Sequence, residues 1–368
     1  MLMADLLRCK INQFLNNVNS YTLFKGLFQQ KAQQKSRCLK NMQIIQANHP
    51  GGPEVLHLAD GPKPQPQAGD VLVKVAYATL TPLDVFIRQG RVKWMNGTWP
   101  FTPGLEFSGR IEAVGPGVDA GWRGKAVLSY SEFGGCAAYT CVPVKRLALL
   151  DEKLDWPVAT AWRTPTLAAW YALTAALKLQ KGETLLIHSA AGPVGIMATQ
   201  VGQELGARVI GLAGGPAKLA YARAFGADTL IDYRQPDWPA EVRAATGGKG
   251  VEAIIDGNGG STSMRNYEVL APQGRVLYIG ATSGMTAPDI STALLVGKSI
   301  SVGGFNLNSI PEAVIDAELP RLAERLVRGK WRFPISQVAE LADVPSLHAA
   351  FEARQLMGRV VIQISDVR

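Results

Sequence analysis

Residues 183–206, ETLLIHSAAGPVGIMATQVGQELG, leave this chain few folds to choose from. A short apolar run, Thr184 to His188, leads into the small residues Ser189, Ala190 and Ala191 and then Gly192-Pro193-Val194-Gly195. Beyond them Ile196, Ala198, Val201 and Leu205 recur at helical spacing. The pattern predicts a strand, a tight turn and a helix. Ala190, Gly192 and Gly195 fall on the three small positions of G-x-G-x-x-G, with alanine in the first. A small first residue keeps the turn tight, the second lets the backbone approach a pyrophosphate, and the third lets the helix pack on the strand. The first helical N–H groups would then face the phosphates, and Pro193 lacks its N–H where that loss matters least. A turn of this kind alone is weak evidence. Here a second apolar strand, Ala207 to Leu212, follows the helix at once, completing a βαβ unit of about 30 residues. Ala190, Ala191, Gly192, Pro193, Val194 and Gly195 are therefore the first candidate residues for a bound dinucleotide.

The rest of the chain is organised around that unit. From Val71 the pattern is β-rich, with runs at Val71–Ala76, Gly109–Val114, Ala126–Ser129 and Ala138–Val142 closely punctuated by Gly and Pro. Near Thr166 it turns helical. Apolar runs return at Thr229–Asp232, Ala253–Asp256, Arg275–Ile279 and Ile300–Phe305, which together predict a six-stranded parallel α/β sheet. A helix over Ala313–Arg328 then leads to a short tail with a strand at Arg359–Ile364.

Charge and cysteine content exclude several classes. The net charge of +8 is concentrated in residues 1–41, where seven Lys/Arg stand against Asp5 alone. The body is near neutral, which gives nucleic-acid binding little support. No apolar run approaches the ~18 residues of a membrane span. Four cysteines in 368 residues make no disulfide framework, and Cys136 and Cys141 have no nearby cysteine to complete a metal site. A reduced, cytoplasmic setting is the expectation. The basic segment 1–41 is either an organelle-targeting peptide or an extension from a start placed ahead of Met42.

From Met42 to the C-terminus the sequence resembles the medium-chain dehydrogenase/reductase superfamily, in its zinc-free quinone oxidoreductase, zeta-crystallin-like branch. HPGGPEVL, TPLDVFIRQG, PFTPGLEFSGRIEAVG, LAAWYAL, HSAAGPVG, FGAD and APQGRV carry the resemblance. It implies a GroES-like catalytic domain built from both chain ends, 42–165 and 309–368, around a Rossmann domain at 166–308. It also implies a homodimer, which would pair the edge strand Ser299 to Phe305. Zinc members of the superfamily place a cysteine near TPLDVF and a histidine before the glutamate of GLEFSG. This chain has Thr81 and Leu105 there, and leucine cannot ligate zinc. No metal is expected.

The cofactor expected is NADPH. An NAD site usually ends its second strand in an acid that binds the ribose 2′-OH, and no acid occurs between Glu204 and Asp228. Lys218 falls in the first turn of the next helix, where a phosphate also meets the helix N-terminus; an ordinary surface lysine is the competing reading. In the resembled family a lysine at this place, a tyrosine and a C-terminal arginine meet the 2′-phosphate, which implies Lys218, Tyr233 and Arg354. Asn258, Gly280, Ala281, Phe305 and Leu307 follow Rossmann strands and are candidates for the nicotinamide end.

Without a metal, the acceptor must be polarised by position and hydrogen bonds. A quinone suits this, and so does a conjugated carbonyl. Asp84 and Thr81, in TPLDVF, are the candidate catalytic pair, although Asp84 fits a buried structural acid at least as well. Trp94 and Trp99 could wall an aromatic acceptor. Enone, alkenal or enoyl-thioester reduction is the alternative activity, and a low-turnover NADPH-binding structural or RNA-binding protein is the outsider.

Overall fold

The computed structural model describes residues 41–92, 99–130, 133–284, 289 and 291–366. Residues 1–40 of the basic segment, with Cys9 and Cys38, and Trp94 lie outside them. Among the described residues no helix is long and apolar enough to cross a membrane.

The chain forms two compact units. The first comprises residues up to Leu150, with Ala339–Gln355 and the segment from Ile362. It opens with an antiparallel pair, β1 (Asn41–Gln46) and β2 (His57–Pro62). Then come β3 (Asp70–Thr79), β4 (Phe107–Val114), β5 (Ala126–Ser129), β6 (Tyr139–Pro143) and β7 (Leu147–Leu149). They run antiparallel in the order β3-β4-β5-β7, with β6 also pairing β3. Val71, Val73, Val75, Phe107 and Val127 are wholly buried, and the intervening Leu72, Ala76 and Leu128 are buried too, so both faces of β3 and β5 are covered. The chain returns to β3 at its end, where the Ile364 N–H donates to the Ala76 carbonyl at 2.8 Å.

The second unit, Asp151–Val338 with Leu356–Val361, holds β8 (Thr184–Ile187), β9 (Arg208–Ala213), β10 (Thr229–Asp232), β11 (Val251–Asp256), β12 (Leu270–Tyr278) and β13 (Ser301–Gly304). All are parallel, in the order β10-β9-β8-β11-β12-β13. Leu185, Leu186, Ile187, Ile210, Leu212 and Ile254 are fully buried, as strands covered by helices on both faces require. The order reverses between β8 and β11. A doubly wound sheet takes its ligand at such a switch point, beyond the carboxyl ends of those two strands. At the far edge β13 is exposed along its length, with Val302 40% exposed.

The two units meet along the chain at Leu150, Val338, Gln355 and Val361. The helices Trp156–Ala161, Arg163–Tyr171 and Glu312–Val327 all belong to the second unit. Helix Arg163–Tyr171 buries Leu167 and Ala169 and packs on helices Pro193–Glu204 and Glu312–Val327, and the Tyr171 hydroxyl donates to the Val314 carbonyl at 3.1 Å. The apolar faces of these helices have their partners in the α/β layer, and that packing decides the division. Two further strands, β14 (Ile335–Glu340) and β15 (Arg359–Gln363), are crossed by the boundary.

Candidate active site

β8 ends at Ile187 and helix Pro193–Glu204 begins with Gly192 as its N-cap. The turn between them closes only because Gly195 has no side chain. A Cβ there would stand well inside contact distance of the Ser189 carbonyl oxygen and 2.9 Å from the Ala190 Cα. Gly192 is less confined, the nearest atom to a built Cβ being the Ser189 oxygen at 3.2 Å. Alanine in the first position is matched from the next strand: Ala190 Cβ fills the space over Gly211, whose own Cβ would lie 2.8 Å from it. The Ala191 carbonyl accepts the Gly358 N–H at 2.8 Å, so the returning chain braces the turn. Pro193 and Val194 are half-buried at the helix start. Ser189 has a left-handed φ of +56°, which a residue with a side chain rarely adopts.

Across the switch point the end of β11 carries a buried polar cluster. The Asp256 carboxylate, fully buried, accepts the N–H groups of Asn258 at 2.7 Å and Gly259 at 3.1 Å on one oxygen. Its other oxygen accepts the Ser263 hydroxyl and the Asn266 amide, the latter at 2.8 Å. Asn266 Oδ1 lies 2.6 Å from His188 Nε2, one residue before the phosphate turn. Burial alone would push the Asp256 carboxyl up. The neighbouring His188 ring, the Ser263 hydroxyl, the Asn258 N–H and the Asn266 amide together hold it below the usual carboxylate range. Asn258 itself is 1% exposed, and its Oδ1 accepts the Ser189 hydroxyl at 2.5 Å and the Thr282 hydroxyl at 3.1 Å.

Other candidate residues sit at the same strand ends. Gly280 follows β12 where a Cβ would be 2.7 Å from the Gly257 oxygen; Ala281 is next, and the Ser283 N–H donates to the Asn258 carbonyl at 2.7 Å. The Phe305 N–H donates to the Tyr278 carbonyl at 2.9 Å, and Leu307 starts a short 3-10 turn. Lys218 is half-buried in the first turn of helix Pro216–Arg223. Tyr233 lies against Gly214, its hydroxyl 2.8 Å from where a Cβ would stand. Arg354 is in the first unit, exposed, with φ +55° just past helix Val344–Glu352.

Sequence reasoning missed one feature here. Asp232, at the end of β10, accepts the Gly215 N–H and is paired with Arg234 (Oδ2 to Nη2 3.0 Å), which depresses its carboxyl together with that N–H. An acid does approach this helix N-terminus, but from the third strand and already neutralised. The guanidinium lies over Gly215, at φ +91°, where a Cβ would run into it. The available signal was an aspartate at a strand end two residues before Arg234, since an Asp side chain readily accepts the N–H two residues on, as Asp232 Oδ1 does from Arg234 at 3.0 Å.

Asp84 and Thr81 bind the local backbone, which agrees with the structural reading of Asp84. Thr81 caps helix Pro82–Arg88 and Asp84 closes the capping box. Asp84 Oδ2 accepts the Thr81 N–H (2.8 Å) and hydroxyl (2.6 Å), and Oδ1 accepts the Gly104 N–H (2.9 Å). With no exposure and both oxygens committed, Asp84 is not placed to exchange protons with a ligand. Trp99 packs edge-on against Phe101, centroids 5.9 Å apart, and belongs to a cluster with Ile87 and Phe133. Among the described residues no three His, Cys, Asp or Glu side chains gather as a metal site would need.

Comparison with known proteins matches this architecture. A model described as the alcohol dehydrogenase GroES-like domain matches residues 67–152, and one described as zinc-binding dehydrogenase matches 193–326. The quinone oxidoreductase of Sus scrofa is 31% identical over 301 residues, 80% of this chain and 89% of its own. A mycobacterial protein solved with NADPH is 30% identical, with a TM-score of 0.79 over 88% of this chain and 100% of its own. The Escherichia coli quinone oxidoreductase, also solved with NADPH, is 25% identical, with a TM-score of 0.79 over 87% and 99%. With both domain models matched in order and a relative this similar along most of its length, the chain belongs to the quinone oxidoreductases of the medium-chain dehydrogenase/reductase superfamily.

Proposed function

We propose that this protein is a zinc-independent, NADPH-dependent oxidoreductase whose acceptor is a quinone. The observation that carries the reading is the switch point between β8 and β11, where a turn that only Gly195 can close meets a polar loop. That turn fits a dinucleotide pyrophosphate, and Ala190, Ala191, Gly192, Pro193, Val194 and Gly195 would hold it. Lys218 and Tyr233, in the second unit near Gly214 and Gly215, would hold the 2′-phosphate, and Asp232, paired with Arg234, is already neutralised there. Asn258, Gly280, Ala281, Phe305 and Leu307 would border the nicotinamide. Reduced nicotinamide supplies the hydride. The protein's part is alignment and exclusion of water, because neither Asp84 nor Thr81 is available as an acid. A quinone tolerates that lack: negative charge spreads onto its oxygens as it is reduced. Leu105 and the want of a three-ligand cluster among the described residues motivate zinc independence.

An acceptor screen that follows NADPH absorbance, run with and without chelator, tests the assignment. Turnover with quinones that survives chelator is expected. Turnover confined to enones, alkenals or enoyl thioesters would transfer the assignment to that alternative, and loss in chelator would end zinc independence. A homodimer through β13 is proposed from its exposed edge; light scattering should give twice the chain mass, and a monomer at micromolar concentration would refute it. A cytoplasmic location belongs to the same proposal.

A further inference from the structure

The proposed cofactor site uses Asn258, but it leaves two things about that residue unexplained. First, its Nδ2 is buried and has no hydrogen-bond partner. A primary amide carries two donors, and an unserved buried donor calls for a reason. Second, its Oδ1 is held from the opposite side of the switch point by Ser189, 69 residues earlier in the chain. Thr282 donates to the same oxygen. With both hydroxyls donating, Oδ1 is anchored at two points and the orientation of the amide with it. The loop beneath is fixed as well, because Asp256 accepts the Asn258 and Gly259 N–H groups.

Ser189 adopts φ +56°, where glycine would be at ease. A serine kept in that conformation has a use for its hydroxyl, and in this structure the hydroxyl goes to Asn258.

We infer that Ser189 is a positioning residue and Asn258 the binding residue it serves: Ser189 fixes the amide so that Nδ2 donates to an oxygen acceptor of the bound dinucleotide at the switch point. The inference rests on the cofactor reading above. It concerns the second unit alone, and it is separate from the charge recognition assigned to Lys218 and Tyr233.

The clasp and the backbone make opposite demands at residue 189, which makes the test sharp. Equilibrium affinity for NADPH and thermal stability of the cofactor-free protein are measured on the full chain for wild type, Ser189→Gly, Asn258→Ala and the double variant. Ser189→Gly should melt no lower than wild type, since glycine accepts the left-handed φ. It should nonetheless bind NADPH roughly 2- to 10-fold more weakly, the range of a neutral hydrogen bond. Asn258→Ala should lose at least as much. The double variant should bind like Asn258→Ala, because Ser189 acts only through the amide. Wild-type affinity in Ser189→Gly, or losses that multiply in the double variant, would overturn the inference while leaving the cofactor reading intact. A wild-type protein that does not bind NADPH would overturn both.

Discussion

Each unit contains a buried aspartate that accepts backbone N–H groups, and the two do different work. Asp84 in the first unit and Asp256 in the second are both fully buried. Asp84 receives Thr81 and Gly104, and its partners serve a helix start and a neighbouring loop. Asp256 receives Asn258, Gly259, Ser263 and Asn266, and the loop it holds ends in an amide whose N–H2 has no partner. A buried acid in a conspicuous motif is thus no sign of catalysis. The telling observation is a polar set that remains incomplete at a place where the fold admits a ligand.

Removing Asp84 should have the largest effect and should fall on stability. Asp84→Ala strands buried donors at Thr81 and Gly104, at a cost of about 3 kcal/mol and several degrees of melting temperature. NADPH affinity of the folded fraction should stay within about twofold, less than the loss of one hydrogen bond. A variant that melts like wild type but fails to turn over would restore Asp84 to catalysis and erase the contrast.

Asp256→Asn should cost less, about 1–2 kcal/mol at pH 7, the scale of one or two imperfect hydrogen bonds. The pH dependence sharpens the comparison. Because the folded-state carboxyl is depressed below its ordinary value of 3.8, its stabilisation is fully present above that pH. It is lost as pH falls through the lower folded value. The difference between wild type and Asp256→Asn should therefore be constant from neutrality to about pH 4 and shrink in stronger acid. A difference that already narrows between pH 7 and pH 5 would mean that the carboxyl is not depressed.

How much of this could be read in the sequence follows from the range of the interactions. Strand periodicity and the glycine turn are local, and the six parallel strands and the turn at Gly195 lie where they were expected. The role of Asp84 was local too: T-P-L-D is a capping box with proline at the first helical position, in keeping with the buried structural acid that the sequence also suggested. The division into units at Leu150 and Val338 has no local signal, because helices Arg163–Tyr171 and Glu312–Val327 reveal their partners only once folded. The Ser189–Asn258 clasp and the packing of Ala190 over Gly211 join positions distant in sequence, and no spacing rule links them.

The most direct test of the cofactor assignment is the affinity of wild type and Lys218→Ala for NADPH and NADH, measured side by side. Lys218 occupies the first turn of helix Pro216–Arg223, where the 2′-phosphate of NADPH is proposed to sit. A charge-assisted contact is worth roughly 1.5–3 kcal/mol, or about 10- to 150-fold in affinity. The account predicts a wild-type preference for NADPH, a loss of that size for NADPH in Lys218→Ala, and little change for NADH. The loss should shrink only modestly at high salt, because a half-buried charge pair is screened less than an exposed one. Equal weakening of both cofactors would contradict it, since Lys218 would then support the fold rather than recognise a phosphate.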